Sequence, residues 1–464
     1  MKAKSFNIIL ILLIIFSTQH KTLGQNTHHI PEDFSSIQES IDYASIGDTI
    51  IVAQGTYYEN INFRGKDIYL SSEFLYDLEF STIQNTIIDG SQPTDADTAS
   101  VVLIINEESE NAVLRGFTIT GGAGTRIYNE DEGLYFRTGG GIVINKSSPT
   151  IINNIIRNNV STNTTSVSGA GGGGIRAGAG QPYIANNYIL SNDGRYAGGI
   201  MMAFCNGMSF VNNVVAYNHT AGDFGGGGGV YVDWQNVNIT NNTIVYNNSD
   251  ASGGGLCITG NTSPIKNCII FGNTGTSFPQ IRKRYSGNPV VSYCNIEAGY
   301  SQGDQILDTL PNFMDTIRFI LAEESPCIDA GDPDSIYFDQ TTEYGEVLLP
   351  AMGDQTNDIG AYGGSFYQLP PPEIIPEPVA VFNNTVIDYA IEIIGNKAIL
   401  KTESQLKLKL SCYKLNGQLF KSLHNGILAQ GQYQFELSTK KEPLIIVAES
   451  EKSKTVLKTI SGIY

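Results

Sequence analysis

Charge is scarce in this chain. Only 16% of its 464 residues are Asp, Glu, Lys or Arg, while 50 are glycine; average soluble proteins carry about 25% charged residues and about 7% glycine. The combination excludes a largely helical body and demands many turns. Basic residues are scarcer still. Between residues 25 and 378 there are 14 against 39 acidic ones, net −25, a field that repels phosphate backbones and anionic lipid and makes nucleic acid a poor candidate partner. Six cysteines with no Cys-x-x-Cys pair are too few for a disulfide scaffold. His219 stands alone between residues 30 and 423, so a zinc site lacks a second imidazole and a solvated loop histidine is expected.

Long apolar runs are also missing. Lys2 and Lys4 precede nine apolar residues, Ile8 to Phe16, too few for the roughly 20 that cross a bilayer but suited to a secretory signal. Residues 1–24 are therefore read as a signal peptide cut near Gly24, and no transmembrane segment is expected. Cys268 and Cys294 lie 26 residues apart; they are either buried thiols or a bridge between neighbouring repeats.

What is abundant is repetition. Glycine runs are each followed by an alternating apolar stretch, and their last glycines, Gly141, Gly174, Gly199, Gly229 and Gly255, step by 33, 25, 30 and 26. A second beat, Asn153-Asn154, Asn186-Asn187, Asn212-Asn213, Asn241-Asn242 and Asn267-Cys268, steps by 33, 26, 29 and 26. Short strands that cannot bury both faces alone are sealed when identical ones stack at about 4.8 Å. Paired Asn suits a tight left-handed bend whose amides bond from coil to coil. The pattern predicts an all-β chain: a parallel β-helix over residues 25–368 with roughly eight to ten coils of about 27 residues. Ser36-Ile-Gln-Glu39 has capping-box form, and Ser36 to Ser45 is predicted as the helix covering the first coil.

The proline-rich stretch 369–378 reads as a linker. Beyond it the beats stop, Lys becomes common, and short alternating strands (Ala398 to Thr402, Leu406 to Tyr413, Tyr433 to Leu437, Leu444 to Ala448) predict a small antiparallel β-sandwich over residues 379–464.

These residues carry three resemblances. Ser36-Ile-Gln-Glu-Ser-Ile, Gly47-Asp48-Thr-Ile-Ile-Val and Gly55-Thr-Tyr-Tyr-Glu resemble the start of secreted right-handed parallel β-helix proteins of the pectate-lyase-like superfamily. Ser325-Pro-Cys-Ile-Asp329-Ala-Gly and Asp358-Ile-Gly-Ala-Tyr-Gly363 are similar to the closing segment of bacterial β-helix surface proteins. The last 80 residues, with Asn416-Gly417, Gly431-Gln-Tyr and Lys454-Thr-Val-Leu-Lys458, resemble the C-terminal sorting domain of the type IX secretion system. The resemblance implies a Gram-negative bacterium, passage of a monomer through secretion machinery, and release or display on the outer cell surface.

It also implies that ligands meet the groove beside the first strand of each coil and the loops before it. The largest such loop, Gly121 to Thr138, holds Arg126, Tyr128 and Arg137; later ones hold Arg195 and Asp223. Alternation turns Val143, Arg176, Met201, Tyr231 and Cys257 outward in one row, with Asn145, Asp233 and Thr259 in the next. A polysaccharide lyase here would use Arg176 as base, with Asp223 and Asp233 as calcium ligands. A glycoside hydrolase would use a carboxylate pair about 6.5 to 9.5 Å apart, such as Asp223 with Asp233. Arg126, Tyr128, Arg137, Arg195 and Tyr231 are the candidate substrate-binding residues, since aromatic faces stack on sugars and guanidinium grips carboxylates. Asp329, Asp332 and Asp334 are candidate Ca²⁺ ligands or turn caps. The expected function is binding, with or without cleavage, of extracellular polysaccharide; the alternative is a non-catalytic adhesin or structural surface protein.

Overall fold

The computed structural model describes residues 26–129, 133–161, 168–169, 171–222, 226–342, 345–365, 389–394, 397–402, 406–414, 419–436, 444–450 and 454–458. The expected signal segment, the expected linker and Asp223 lie outside them. Two compact units divide at Pro370 and Pro371. Among the described residues no helix is long and apolar enough to cross a membrane.

The first unit is a parallel β-solenoid of about eight turns. Its eight-stranded wall contributes one strand per coil: Ile61–Asn62, Val102–Ile104, Ile142–Asn145, Ile175–Gly178, Ile200–Ala203, Val230–Asp233, Leu256–Thr259 and Ile281–Arg284. Strict register piles Ile142, Ile175, Ile200, Val230 and Leu256 into one interior column, and each is fully buried. Burying each such side chain is worth about 1.5–3 kcal/mol.

The glycine beat has a steric cause. A Cβ on Gly141, Gly174 or Gly255 would sit 2.7 Å from a carbonyl oxygen of the next coil, and on Gly199 2.5 Å. The asparagine beat does two jobs. Asn153, Asn186, Asn212, Asn241 and Asn267 take left-handed φ of 52–57°, while the following amides form a buried ladder: Asn154 donates to Asn187 Oδ1, Asn187 to Asn213 and Asn213 to Asn242, at 3.0–3.1 Å through Nδ2. Cys268 and Cys294 continue that ladder as free thiols, with Asn242 N–H donating to Cys268 Sγ at 3.4 Å and Cys268 N–H to Cys294 Sγ at 3.4 Å.

The helix Ile37–Tyr43 starts at Ser36, whose hydroxyl accepts from Glu39 N at 3.2 Å. The Glu59 carboxylate satisfies the free N–H groups of Ile37 and Gln38, both at 2.9 Å. Ile37 and Ile41 are buried in the core of the first coils.

The segment that follows the last coil lies along the side of the solenoid. Phe319, Leu321, Cys327, Ile359 and Tyr362 pack on Ile155, Tyr188, Val214, Val245 and Ile269. The left-handed asparagines anchor it: Asn212 Nδ2 donates to Ala361 O and Gly363 O at 3.0 and 2.7 Å, and Asn241 Nδ2 to Asp358 O at 3.0 Å.

The second unit holds two small antiparallel sheets: Tyr389–Ile394, Lys397–Thr402 and Gly431–Glu436; and Leu419–Leu428, Leu406–Lys414, Leu444–Ser450 and Lys454–Lys458.

Candidate functional site

The outer face of the eight-stranded wall carries the two predicted rows. Register places Val143, Arg176, Met201, Tyr231, Cys257 and Arg282 in one, and Asn145, Gly178, Ala203, Asp233, Thr259 and Arg284 in the next. The middle of the first row is covered: Met201, Tyr231 and Cys257 are 5%, 4% and 0% exposed. Tyr196, from the loop before Ile200–Ala203, stacks on Tyr231 at 6.2 Å. Arg176 folds over its own strand into the space left by Gly178, where a Cβ would meet its Nη1 at 2.4 Å, and donates to Ala177 O. Burial lowers the Arg176 pKa. Burial also raises the Asp233 carboxyl, against the pull of Arg176, the Tyr231 hydroxyl and Arg284. Tyr231, pushed up by burial and by Asp233, accepts from Thr259 Oγ1 at 3.1 Å.

The loop before Ile142–Asn145 is a β-hairpin, Gly124–Asn129 with Leu134–Thr138, pairing Arg126 with Arg137 and Tyr128 with Tyr135. Asp97 ties both arginines, at 3.1 Å to Arg126 and 3.2 Å to Arg137; Arg137 also donates to Gly124 O at 2.6 Å. Arg137 therefore holds the hairpin base. Further out, Tyr128 and Tyr135 lie 4.9 Å apart, 50% and 48% exposed, and the Arg126 guanidinium sits 4.0 Å from the Tyr135 ring centre. Arg195 lies 5.7 Å from the Tyr196 ring centre.

His219 is held in place rather than loosely solvated. Its Nδ1 lies 3.2 Å from Asp193 Oδ2 and its Nε2 2.9 Å from Asp250 Oδ1. The bond to Asp193, helped by Asp250 and opposed by burial, lifts the imidazole to about 9. Register pairing of Asp193 with His219 on adjacent coils builds this arrangement.

In the closing segment, Asp329 accepts from Asp354 N at 2.9 Å, Asp332 pairs with Lys266, and Asp334 Oδ1 caps Ile336 N at 3.2 Å. Among the described residues no group of three or more His, Cys, Asp or Glu is gathered as metal ligands would be.

Sequence reasoning missed a line of exposed aromatics at the other edge of the wall. Phe204, Trp234 and Tyr285 each immediately follow a wall strand, at left-handed φ of 59°, 61° and 50°. The signal was present as the residue after each outward row, interrupted once by Gly260. No protein-family model matches the chain, and no curated protein does.

Proposed function

We propose that this is an exported β-helix that binds extracellular polysaccharide along the loop edge of its eight-stranded wall. The exposed Tyr128 and Tyr135 pair carries the reading, with Arg126 stacked on it: flat faces for sugar C–H groups beside a guanidinium for a carboxylate. The parallel solenoid supports it by fixing successive loops at about 4.8 Å intervals along one edge. Arg176 and Asp233 supply half-buried, perturbed ionisable groups on the adjoining face, a common mark of functional sites. Delivery belongs to the C-terminal unit, through the secretion machinery of a Gram-negative outer membrane, with release or surface display as the end point.

The second reading is a non-catalytic adhesin, favoured by the covered row. With Met201, Tyr231 and Cys257 sealed, a sugar ring has little room to settle between Arg176 and Asp233.

The test is affinity electrophoresis of the protein against a panel of polysaccharides with Ca²⁺, followed by assays for unsaturated uronides and new reducing ends. Retention lost in Tyr128→Ala and Tyr135→Ala supports the reading. Products that vanish in Arg176→Ala add turnover, retention without products leaves binding alone, and silence on every glycan favours the adhesin. No retention on any glycan rejects polysaccharide binding. Calcium in the closing segment is supported by a chelator-reversible rise in Tm and rejected by no change.

A further inference from the structure

The corner where six of the eight wall strands end repeats a left-handed residue: Lys146, Ala179, Phe204, Trp234, Gly260 and Tyr285, at φ of 50–63°. Glycine is the residue such a corner favours, and a bulky side chain there is strained. Three of the six corners are nevertheless aromatic. Phe204, Trp234 and Tyr285 leave 55%, 49% and 75% of their surface open. Trp234 leans across the next coil, where a Cβ on Gly260 would meet its Cε3 at 2.4 Å, and so reaches Tyr285, stacking at 5.6 Å and 25°.

The chain builds the same device a second time. Tyr217 and Tyr246 follow the stacked strands Val214–Ala216 and Thr243–Val245 at φ of 59° and 54°, stack at 5.9 Å and 11°, and Tyr246 leans over Gly272 as Trp234 does over Gly260. That stack is occupied: Phe319 of the closing segment lies 5.9 and 5.8 Å from the two rings, and the Tyr217 hydroxyl donates to Thr316 O at 2.9 Å. A flat apolar body with an oxygen acceptor beside it is what this geometry takes. On the wall corner the rings stand open, next to the chain's one dense basic run, Arg282-Lys283-Arg284, with Arg284 5.5 Å from the Tyr285 ring centre.

We infer that Phe204, Trp234 and Tyr285 form a stacking platform for the sugar rings of an acidic polysaccharide, whose carboxylates or sulfates lie toward Arg282 and Arg284, the two basic residues of that strand in the outward rows. The inference rests on the polysaccharide reading and adds a second edge to it, opposite the Tyr128 hairpin. Sugar C–H groups meet the negative ring faces, and guanidinium binds the anions. At physiological salt, screening over about 8 Å lets these local cations outweigh the distant negative charge of the body.

Trp234 is the only tryptophan in the chain, so its emission reports this corner alone. The full-length protein is titrated with polygalacturonate, alginate, hyaluronate and heparin oligosaccharides, and with neutral dextran. The expected result is a saturable emission change with an acidic glycan, weakened at least tenfold in Phe204→Gly and Tyr285→Gly and weakened by salt, with none from dextran. Because glycine relieves the left-handed strain, both variants keep their circular dichroism and a Tm within a few degrees of the parent. Retention of an acidic glycan with unchanged emission and unaffected variants overturns the platform and leaves the hairpin reading standing. An equal response to dextran overturns the acidic ligand. Retention of no glycan removes both readings.

Discussion

Asp339 and Asp358 are buried together, 4% and 1% exposed, with Asp358 N–H donating to Asp339 Oδ2 at 3.1 Å. Burial first, and the neighbouring carboxyls with it, push Asp339 up to about 8; burial pushes Asp358 up to about 7. Both folded pKa values exceed the unfolded one near 4, so the folded chain keeps protons that the unfolded chain releases. Stability is therefore full below about pH 4 with respect to this pair and falls as pH rises toward 7 and 8, by at most about 1.4 kcal/mol per pH unit per proton. Asp339→Asn should flatten that decline and raise Tm at pH 9. A Tm profile as steep as the parent's would reject the buried pair as its source.

His219 should titrate far from an ordinary imidazole. Its pKa of about 9 means that its contribution is present below pH 6.5 and lost as pH rises through 9. The Cε1–H chemical shift followed by NMR should give a midpoint well above 6.5, moving down in Asp250→Asn. A midpoint near 6.5 in the parent would refute the bridge.

Each interior Asn joins three coils, so removing one strands several buried groups. Asn213 donates to Ile184 O at 3.0 Å, Val211 O at 2.9 Å and Asn242 Oδ1 at 3.1 Å, and accepts from Asn187 N and Nδ2 at 3.0 Å each. Asn213→Ala should cost about 3 kcal/mol or more in chemical denaturation. A cost under about 1 kcal/mol would mean that the ladder contributes little.

Cys268 occupies an Asn position in that ladder with a weaker acceptor, Asn242 N to Sγ at 3.4 Å. Cys268→Asn places an amide near Ile239 O and Lys266 O, both of which the thiol now faces, and should stabilise by about 1 kcal/mol. A loss of that size would show that the site is shaped for sulfur.

The solenoid was legible because its constraints recur: the same coil meets the same carbonyl at Gly141, Gly174 and Gly199, and the same amide partner at Asn154, Asn187 and Asn213. The lateral course of the closing segment was not, since Tyr362 meets Tyr188 at 3.1 Å across 174 residues of chain, and no local pattern encodes that pairing. Alternation gave the outward direction of Tyr231 but not its cover, because Tyr196 comes from the preceding loop. Phe204, Trp234 and Tyr285 escaped notice because Gly260 breaks their spacing, and only the register brings Trp234 onto Tyr285.

Hydrogen–deuterium exchange with and without a retained acidic polysaccharide tests most directly whether glycan lies along the two edges of the wall. Slowed exchange is expected in residues 124–128 and 135–138 and in the strand ends 203–204, 233–234 and 284–285, with the closing segment unchanged. Protection confined to the closing segment or to the C-terminal sheets, with both edges exchanging as in the free protein, would contradict that placement.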